Sequence, residues 1–447
     1  MGDLTHKRKE KRMKKQFALG LCTIMMTGLL AGCGSAPAES SSSAEATTGE
    51  KKTEAAENTG DVLEIEFFQQ KGEEGPRKGF QEIIDKFNEA NPDIVVTMNT
   101  VPDPGTVLTS RISSGDVPVI FTDIPTQAQF RQKVANGIVQ DLTGQDFLNN
   151  ANEASLSMCT LDDGGIYALP YTRSYYGVFY NEQLFEDNNI EVPETWDEFT
   201  AVCEKFQEAG ITPIGLNGKD PGRCGHLFQD MTATWNIDGF DLIKKACEGE
   251  AKIEGDAGFT KEFERMKTVL SYANEDALAL SDTECYTNFV NGEYAMCPTG
   301  SYARGTIQAL NSDFKLGCFV LPNDTRDTTN LTSGLDACIC VSAKASEEEK
   351  AAAYKFLAFL AEPENAEIFF QNDGAPSCIT GVGTDDTAVA NVTELISKGQ
   401  THDWMASTID SNVQNDLYNV VQEFWDKKDV EQTLKNMDLS IATTSAQ

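Results

Sequence analysis

Leu63-Glu64-Ile65-Glu66-Phe67 alternates apolar with acidic residues, so an extended chain here puts Leu63, Ile65 and Phe67 on one side. Downstream, Phe80, Ile83, Ile84 and Phe87 fall at i, i+3, i+4 and i+7, the stripe of an amphipathic helix that Pro92 brings to a stop. Residues 94–98 read as a second strand. Strand, helix and strand in this order form a parallel βαβ unit with a right-handed crossover. A further helix over 107–112 and a strand over 117–121 continue the alternation, and the fold class is α/β.

Outward from this unit, toward the N-terminus, residues 34–60 are Ser, Ala, Glu, Thr and Lys with no large apolar side chain, the composition of a disordered tether. Before it, seven lysines and arginines between Lys7 and Lys15 precede an apolar run from Phe17 to Ala31. That run is short for a membrane span and suits a signal-peptide core. It closes on Leu30-Ala31-Gly32-Cys33, which resembles the lipobox of bacterial lipoproteins; residues 1–32 are then a cleaved signal, and Cys33 carries lipid at the head of the 33–60 tether. Eukaryotic myristoylation does not fit, because His6 stands where that signal needs Ser or Thr.

The chain has a net charge of −34, and losing the basic signal makes the remainder more acidic still. Such a surface repels phosphate backbones and anionic lipid headgroups, so nucleic acid is excluded as a partner and membrane attachment falls to the lipid. With 40% apolar residues and 24 phenylalanines, the body can bury large cores, as two domains or one two-lobed body.

Toward the C-terminus, Thr195 with Glu198 and Ser346 with Glu349 each form the pattern of a capping box at a helix start. Phe199, Val202, Cys203 and Phe206 line the first of these helices; Ala353, Phe356, Leu357 and Leu360 line the second, which ends by Pro363. Leu417, Val420, Val421 and Phe424 mark a third. Of 12 cysteines, none stands in a CxxC pair, so zinc and thioredoxin-like readings are weak. Cys338 and Cys340 share one face of a strand as small buried thiols; reduced thiols and disulfides both remain open. GxSxG, HExxH and phosphate-loop signatures are absent. Asp162-Asp163-Gly164-Gly165 reads as a turn and not as a glycosidase acid pair.

From Gly165-Ile166-Tyr167-Ala168-Leu169-Pro170 the chain resembles the extracellular solute-binding proteins of carbohydrate ABC transporters. The likeness continues through Tyr180-Asn181, Leu184-Phe185 and Pro193-Glu194-Thr195-Trp196-Asp197-Glu198-Phe199. Further matches lie at Phe289-Val290-Asn291-Gly292, Phe319-Val320-Leu321-Pro322 and Gly334-Leu335-Asp336. The resemblance implies a periplasmic-binding-protein fold: two α/β lobes joined by hinge crossings, with a ligand cleft between them. Residues 61–172 and 319–362 would make one lobe, and 173–318 with 363–447 the other. It implies no enzyme, cofactor or metal, but a monomer that hands carbohydrate, an oligosaccharide, to permease subunits by hinge closure.

Sugar rings need flat aromatics for their C–H faces and paired donors and acceptors for their hydroxyls. Trp235, Tyr302 and Trp404 stand where the family places stacking aromatics; each has the alternative of a core aromatic. Gln70, Lys71 and Asp123 follow strand ends that open on a cleft. Arg173, Tyr175 and Arg304 join them as hydroxyl partners, and Asp336 matches the family's G-x-D. Trp196 reads as scaffold, and His226 and His402 as ordinary surface or core histidines. Two other readings are a binder of a polyamine or organic phosphate in the same fold, and a surface glycosidase or adhesin.

Overall fold

A computed structural model of the chain describes residues 62–383 and 386–445. The signal segment, Cys33 and the 33–60 tether lie outside the described residues. Among the described residues there are nine strands: Leu63–Phe68 (β1), Ile94–Asn99 (β2), Ile120–Asp123 (β3), Leu169–Asn181 (β4), Thr212–Ile214 (β5), Tyr294–Gly300 (β6), Leu316–Phe319 (β7), Leu331–Val341 (β8) and Thr401–His402 (β9).

The first βαβ unit forms as its periodicity dictates. β1 and β2 run parallel, from Leu63 opposite Ile94 to Phe68 opposite Asn99. The Glu74–Ala90 helix between them buries Phe80, Ile83, Ile84 and Phe87. β3 pairs in parallel with the other edge of β1. The resulting core is aromatic: Phe80 meets Phe67 edge-on at 5.0 Å and Phe369 at 4.5 Å. Truncating a phenylalanine so enclosed costs about 3–5 kcal/mol.

Two long strands carry the chain between sheets. β4 is 13 residues long, about 43 Å at the usual rise. Its first half, Leu169 to Tyr175, pairs with β8; its second half, from Tyr176 on, pairs with β6 and β7. β8 runs antiparallel beside it, bonding β3 with its end and β9 with its start. A strand order of β2-β1-β3-β8-β4-β6-β5 results. One core lies over the first strands, around Phe67, Phe87, Tyr171 and Phe356. A second gathers Phe199, Phe228, Phe263 and Phe424 at the other end.

Two changeovers fall elsewhere than 319 and 363. β7, which ends at Phe319, still pairs with β4 in the second sheet, and Phe319 packs in the second core. β8 is the returning strand, because only an element of that length reaches both β9 and β3. Pro363 opens the Pro363–Asp373 helix, where its missing N–H costs nothing. That helix puts Ala366 and Phe369 in the first core, which also holds Ile379 and Val382. Val389, Val392 and Leu395 pack instead with Tyr175 and Phe179, so the chain changes over after Val382.

Local devices form where the sequence places them. Both capping boxes are complete. At the 162–165 turn Gly164 has φ +81°, and Asp163 Oδ1 accepts from the Gly165 N–H at 2.9 Å. All ten described cysteines are free thiols, and Cys338 and Cys340 are fully buried.

Candidate functional site

Where β4 and β8 pass between the sheets, the chain leaves a cavity of about 220 Å³. β4 supplies Ser174, β8 supplies Leu335 and Asp336, and Tyr302 follows the end of β6. The Pro221–Trp235 helix presents His226, and the Ser411–Lys427 helix presents Gln414 and Tyr418. Ile124 and Gln127 come from the loop after β3, and Asp403, Trp404 and Ser407 from the segment after β9.

The 403–407 segment is held from four directions. β9 pairs with the start of β8, which fixes where the segment begins. Asp403 Oδ1 accepts from the Trp404 N–H at 2.8 Å, and its Oδ2 from the Ser407 hydroxyl at 2.7 Å. Gln229 Oε1 accepts from the Met405 N–H at 3.0 Å. The indole N–H of Trp404 donates to Ser174 Oγ at 2.8 Å, tying the ring's polar edge to β4. Ser407 Oγ also lies 3.0 Å from Thr126 Oγ1, joining the segment to the loop after β3.

Opposite stands an aromatic wall. His226 centres 5.3 Å from Trp404, 5.8 Å from Tyr418 and 6.0 Å from Tyr302. Its Nδ1 is 3.2 Å from the Tyr302 hydroxyl. Burial, and after it the charge of Arg223, pushes the imidazole down to about 3, so the ring is neutral at ordinary pH. Arg223 lies over Tyr302 at 4.5 Å and is itself held bidentate by Asp282. Burial raises the pKa of the Tyr302 and Tyr418 phenols, which keep their protons.

Of the residues singled out from sequence, Tyr302, Asp336 and Trp404 meet in this cavity. Lys71 stands behind it, its ammonium 2.5 Å from Asp336 Oδ2. Burial works against that ammonium, but Asp336, Glu73 and Asp373 outweigh it and raise the pKa of Lys71. Gln70 turns to β3, donating to the Thr122 carbonyl at 2.5 Å. Asp123 is bound to Lys133 at 2.5 Å and accepts from the Ile124 N–H, which anchors the loop but does not line the cavity.

The remaining candidates sit in the scaffold. Arg173 is buried and donates to the Ser333 carbonyl and hydroxyl, clamping β4 to β8. Tyr175 is fully buried beside Phe179. Arg304 pairs with Asp386 and donates to the Gly374 carbonyl at 3.3 Å. Trp235 ends the helix that carries His226, about 13 Å further along its axis. There it donates to the Pro322 carbonyl at 3.0 Å and packs edge-on against Trp196 at 5.0 Å, with Arg265 over its ring. A family position for a stacking aromatic does not carry it to the cavity.

Sequence reasoning read His226 as an ordinary surface or core histidine and did not single out Gln414, Tyr418, Asp403 or Ser174, all of which line the cavity. A signal existed for the first: the Pro221–Trp235 helix buries Gln229, Asp230, Thr232 and Thr234, and a helix that hides polar groups has partners for them.

The chain has known relatives. The family model described as bacterial extracellular solute-binding protein matches residues 82–394. A multiple sugar-binding protein of Streptococcus mutans serotype c is 26% identical over 364 residues, 79% of this chain and 84% of that protein. The melibiose/raffinose/stachyose-binding protein of Bacillus subtilis is 23% identical over 386 residues, 83% of each chain. The solved solute-binding protein RafE in complex with raffinose has a TM-score of 0.77 at 24% identity, covering 86% of this chain and 100% of that one. This last likeness identifies the fold as the two-lobed one.

Proposed function

The chain belongs to the family of bacterial extracellular solute-binding proteins, and from that premise we propose that it captures an extracellular oligosaccharide by hinge closure and delivers it to the permease of an ABC importer. The observation that carries this reading is the cavity wall, which sets Trp404, Tyr302, Tyr418 and His226 beside Ser174, Gln127, Asp336 and Gln414. Rings offer faces to the sugar's C–H groups, and the amide, hydroxyl and carboxylate groups meet its hydroxyls. The names of the relatives, a multiple sugar-binding protein and a melibiose/raffinose/stachyose-binding protein, point the same way. The protein acts as a monomer, tethered to the outer face of the membrane through lipid on Cys33, and catalyses no reaction.

The cavity's charges weigh against the other solutes. Among its lining residues there is no lysine or arginine to hold a phosphate. Of its two lining carboxylates, Asp336 is neutralised by Lys71 through one oxygen, which leaves Asp403 alone where a polyamine needs several uncompensated carboxylates.

The test is calorimetry on residues 61–447 with mono- and oligosaccharides, polyamines and phosphate esters. Binding to one glycan class, weakened about tenfold or more in Trp404→Ala, or about 1.4 kcal/mol, is the expected result. Binding confined to cationic or phosphorylated solutes would remove carbohydrate as the cargo.

A further inference from the structure

Thr126 does not line the cavity, although its neighbours Ile124 and Gln127 do. Its hydroxyl oxygen lies instead 3.0 Å from Ser407 Oγ, at the cavity's rim. The direction of that bond follows from the next one. Ser407 has a single hydroxyl proton, and it goes to Asp403 Oδ2 at 2.7 Å, since a carboxylate only accepts. Ser407 therefore accepts from Thr126. Asp403 Oδ1 accepts in turn from the Trp404 N–H at 2.8 Å. Thr126 thus stands at the head of a chain of hydrogen bonds that converges on the carboxylate holding Trp404.

The two ends of this chain belong to different cores. Thr126 stands in the loop after β3, which Asp123 fixes by accepting from the Ile124 N–H while Lys133 holds its other oxygen. Phe130, just beyond, packs with Phe68 and Phe121 of the first sheet. Ser407 lies between Met405 and Ile409, both in the second core. Among the described residues no backbone hydrogen bond joins the 124–135 and 401–415 stretches, and the one other side-chain bond, Gln129 Nε2 to Ser411 Oγ, is longer at 3.4 Å. With no backbone bond to carry the loop along, the Thr126 to Ser407 bond is made when the two cores are together and is lost when they part.

We infer that Thr126 is a positioning residue for ligand retention. From the opposite side of the rim it donates to Ser407, stiffens the Asp403 bracket and so steadies Trp404 against the captured ring once the cavity closes. A hydroxyl that receives a hydrogen bond donates its own more strongly, so Thr126 tightens a bond in which it takes no part. A contact present only in the closed state slows release and leaves encounter alone. The inference rests on the carbohydrate reading above for its ligand, and on the hydrogen-bond chain for its geometry.

The experiment compares residues 61–447 as wild type, Thr126→Val and Thr126→Ser. Valine keeps the shape of the side chain and removes the donor; serine keeps the donor. Stopped-flow tryptophan fluorescence with melibiose, raffinose, stachyose and cellotriose gives capture and release rates. NMR follows the indole N–H signal of Trp404, assigned with Trp404→Phe, with and without sugar. In Thr126→Val the bound glycan should leave about fivefold faster at an unchanged capture rate, and the Trp404 signal should move. Thr126→Ser should match wild type in both. Equal release rates in all three proteins, a loss shared by Thr126→Ser, or an effect confined to capture overturns the positioning role and leaves the carbohydrate reading standing. Absence of binding to every sugar removes the carbohydrate reading, and the Trp404 signal then decides: moved by valine and restored by serine it upholds the role of Thr126, and unmoved by valine it overturns it.

Discussion

A neutral histidine among aromatic rings is a hydrogen-bonding group with a fixed character, and His226 is held in that state by its surroundings. Burial disfavours the imidazolium, and Arg223 repels it. With Nδ1 shared with the Tyr302 hydroxyl, the ring orients that phenol and gives the cavity a polar point inside an apolar wall. Its side-chain NMR signals should therefore show no titration between pH 5 and 8, with His226→Gln identifying which of the two body histidines is which. A midpoint near 6.5 would contradict the burial argument. Removing the ring in His226→Ala leaves the Tyr302 hydroxyl without this partner, and affinity for the captured glycan should fall about tenfold. Trp404 and Trp235 show why single residues were only partly legible. Both are tryptophans at family positions, yet one sits on a short segment after β9 and the other at the far end of a buried helix. What separates them is which way their elements run, and no local pattern records that.

At the scale of elements, β8 organises the site. It contributes Leu335 and Asp336 to the cavity, pairs with β9 where the Trp404 segment starts, and carries Gly334 beneath that segment. A Cβ on Gly334 would lie 1.9 Å from Asp403 Oδ1 and 2.8 Å from Trp404 Cδ1. Glycine is required here by close approach, since its φ is not in the left-handed region. Gly334→Ala should push the Asp403 bracket outward, carry the indole off Ser174 and weaken glycan binding about tenfold or more. Calorimetry on this variant, beside its melting curve, checks the argument; unchanged affinity would show that the segment yields freely. Elements themselves were well written in the sequence, because helix stripes, capping boxes and the first strands depend on neighbours a few residues away. The changeovers were not. Whether 316–319 or 331–341 returns to the first sheet depends on partners more than a hundred residues distant, such as Tyr175 opposite Ser333, and Pro363 reads equally as a helix end and a helix start.

Across the whole molecule, buried acids set how stability responds to pH. Burial pushes Asp230 and Asp373 up to about 7 and Glu262 up to about 8. Each sits well above its unfolded value, so between pH 4 and the folded pKa the native state binds the proton that the unfolded chain has released. Stability from these groups is present at low pH and lost as pH rises through 7 to 8. His226 acts oppositely: its folded pKa is depressed, and its contribution is lost as pH falls below 6.5. Above 6.5 the acids act unopposed, and the net charge of −34 adds repulsion of the same sign. The melting temperature should therefore fall between pH 6.5 and 8. Asp230 offers the clean test, because its Oδ1 accepts from the Thr332 N–H at 2.9 Å while its Oδ2 has no partner among the described residues. Asp230→Asn keeps the first bond and removes the charge. The variant should melt higher than wild type at pH 8 by about 2 °C and show a shallower decline over this window. A wild-type curve flat from 6.5 to 8, or an equal decline in both proteins, would mean that water reaches this carboxyl at the junction of helix and β8.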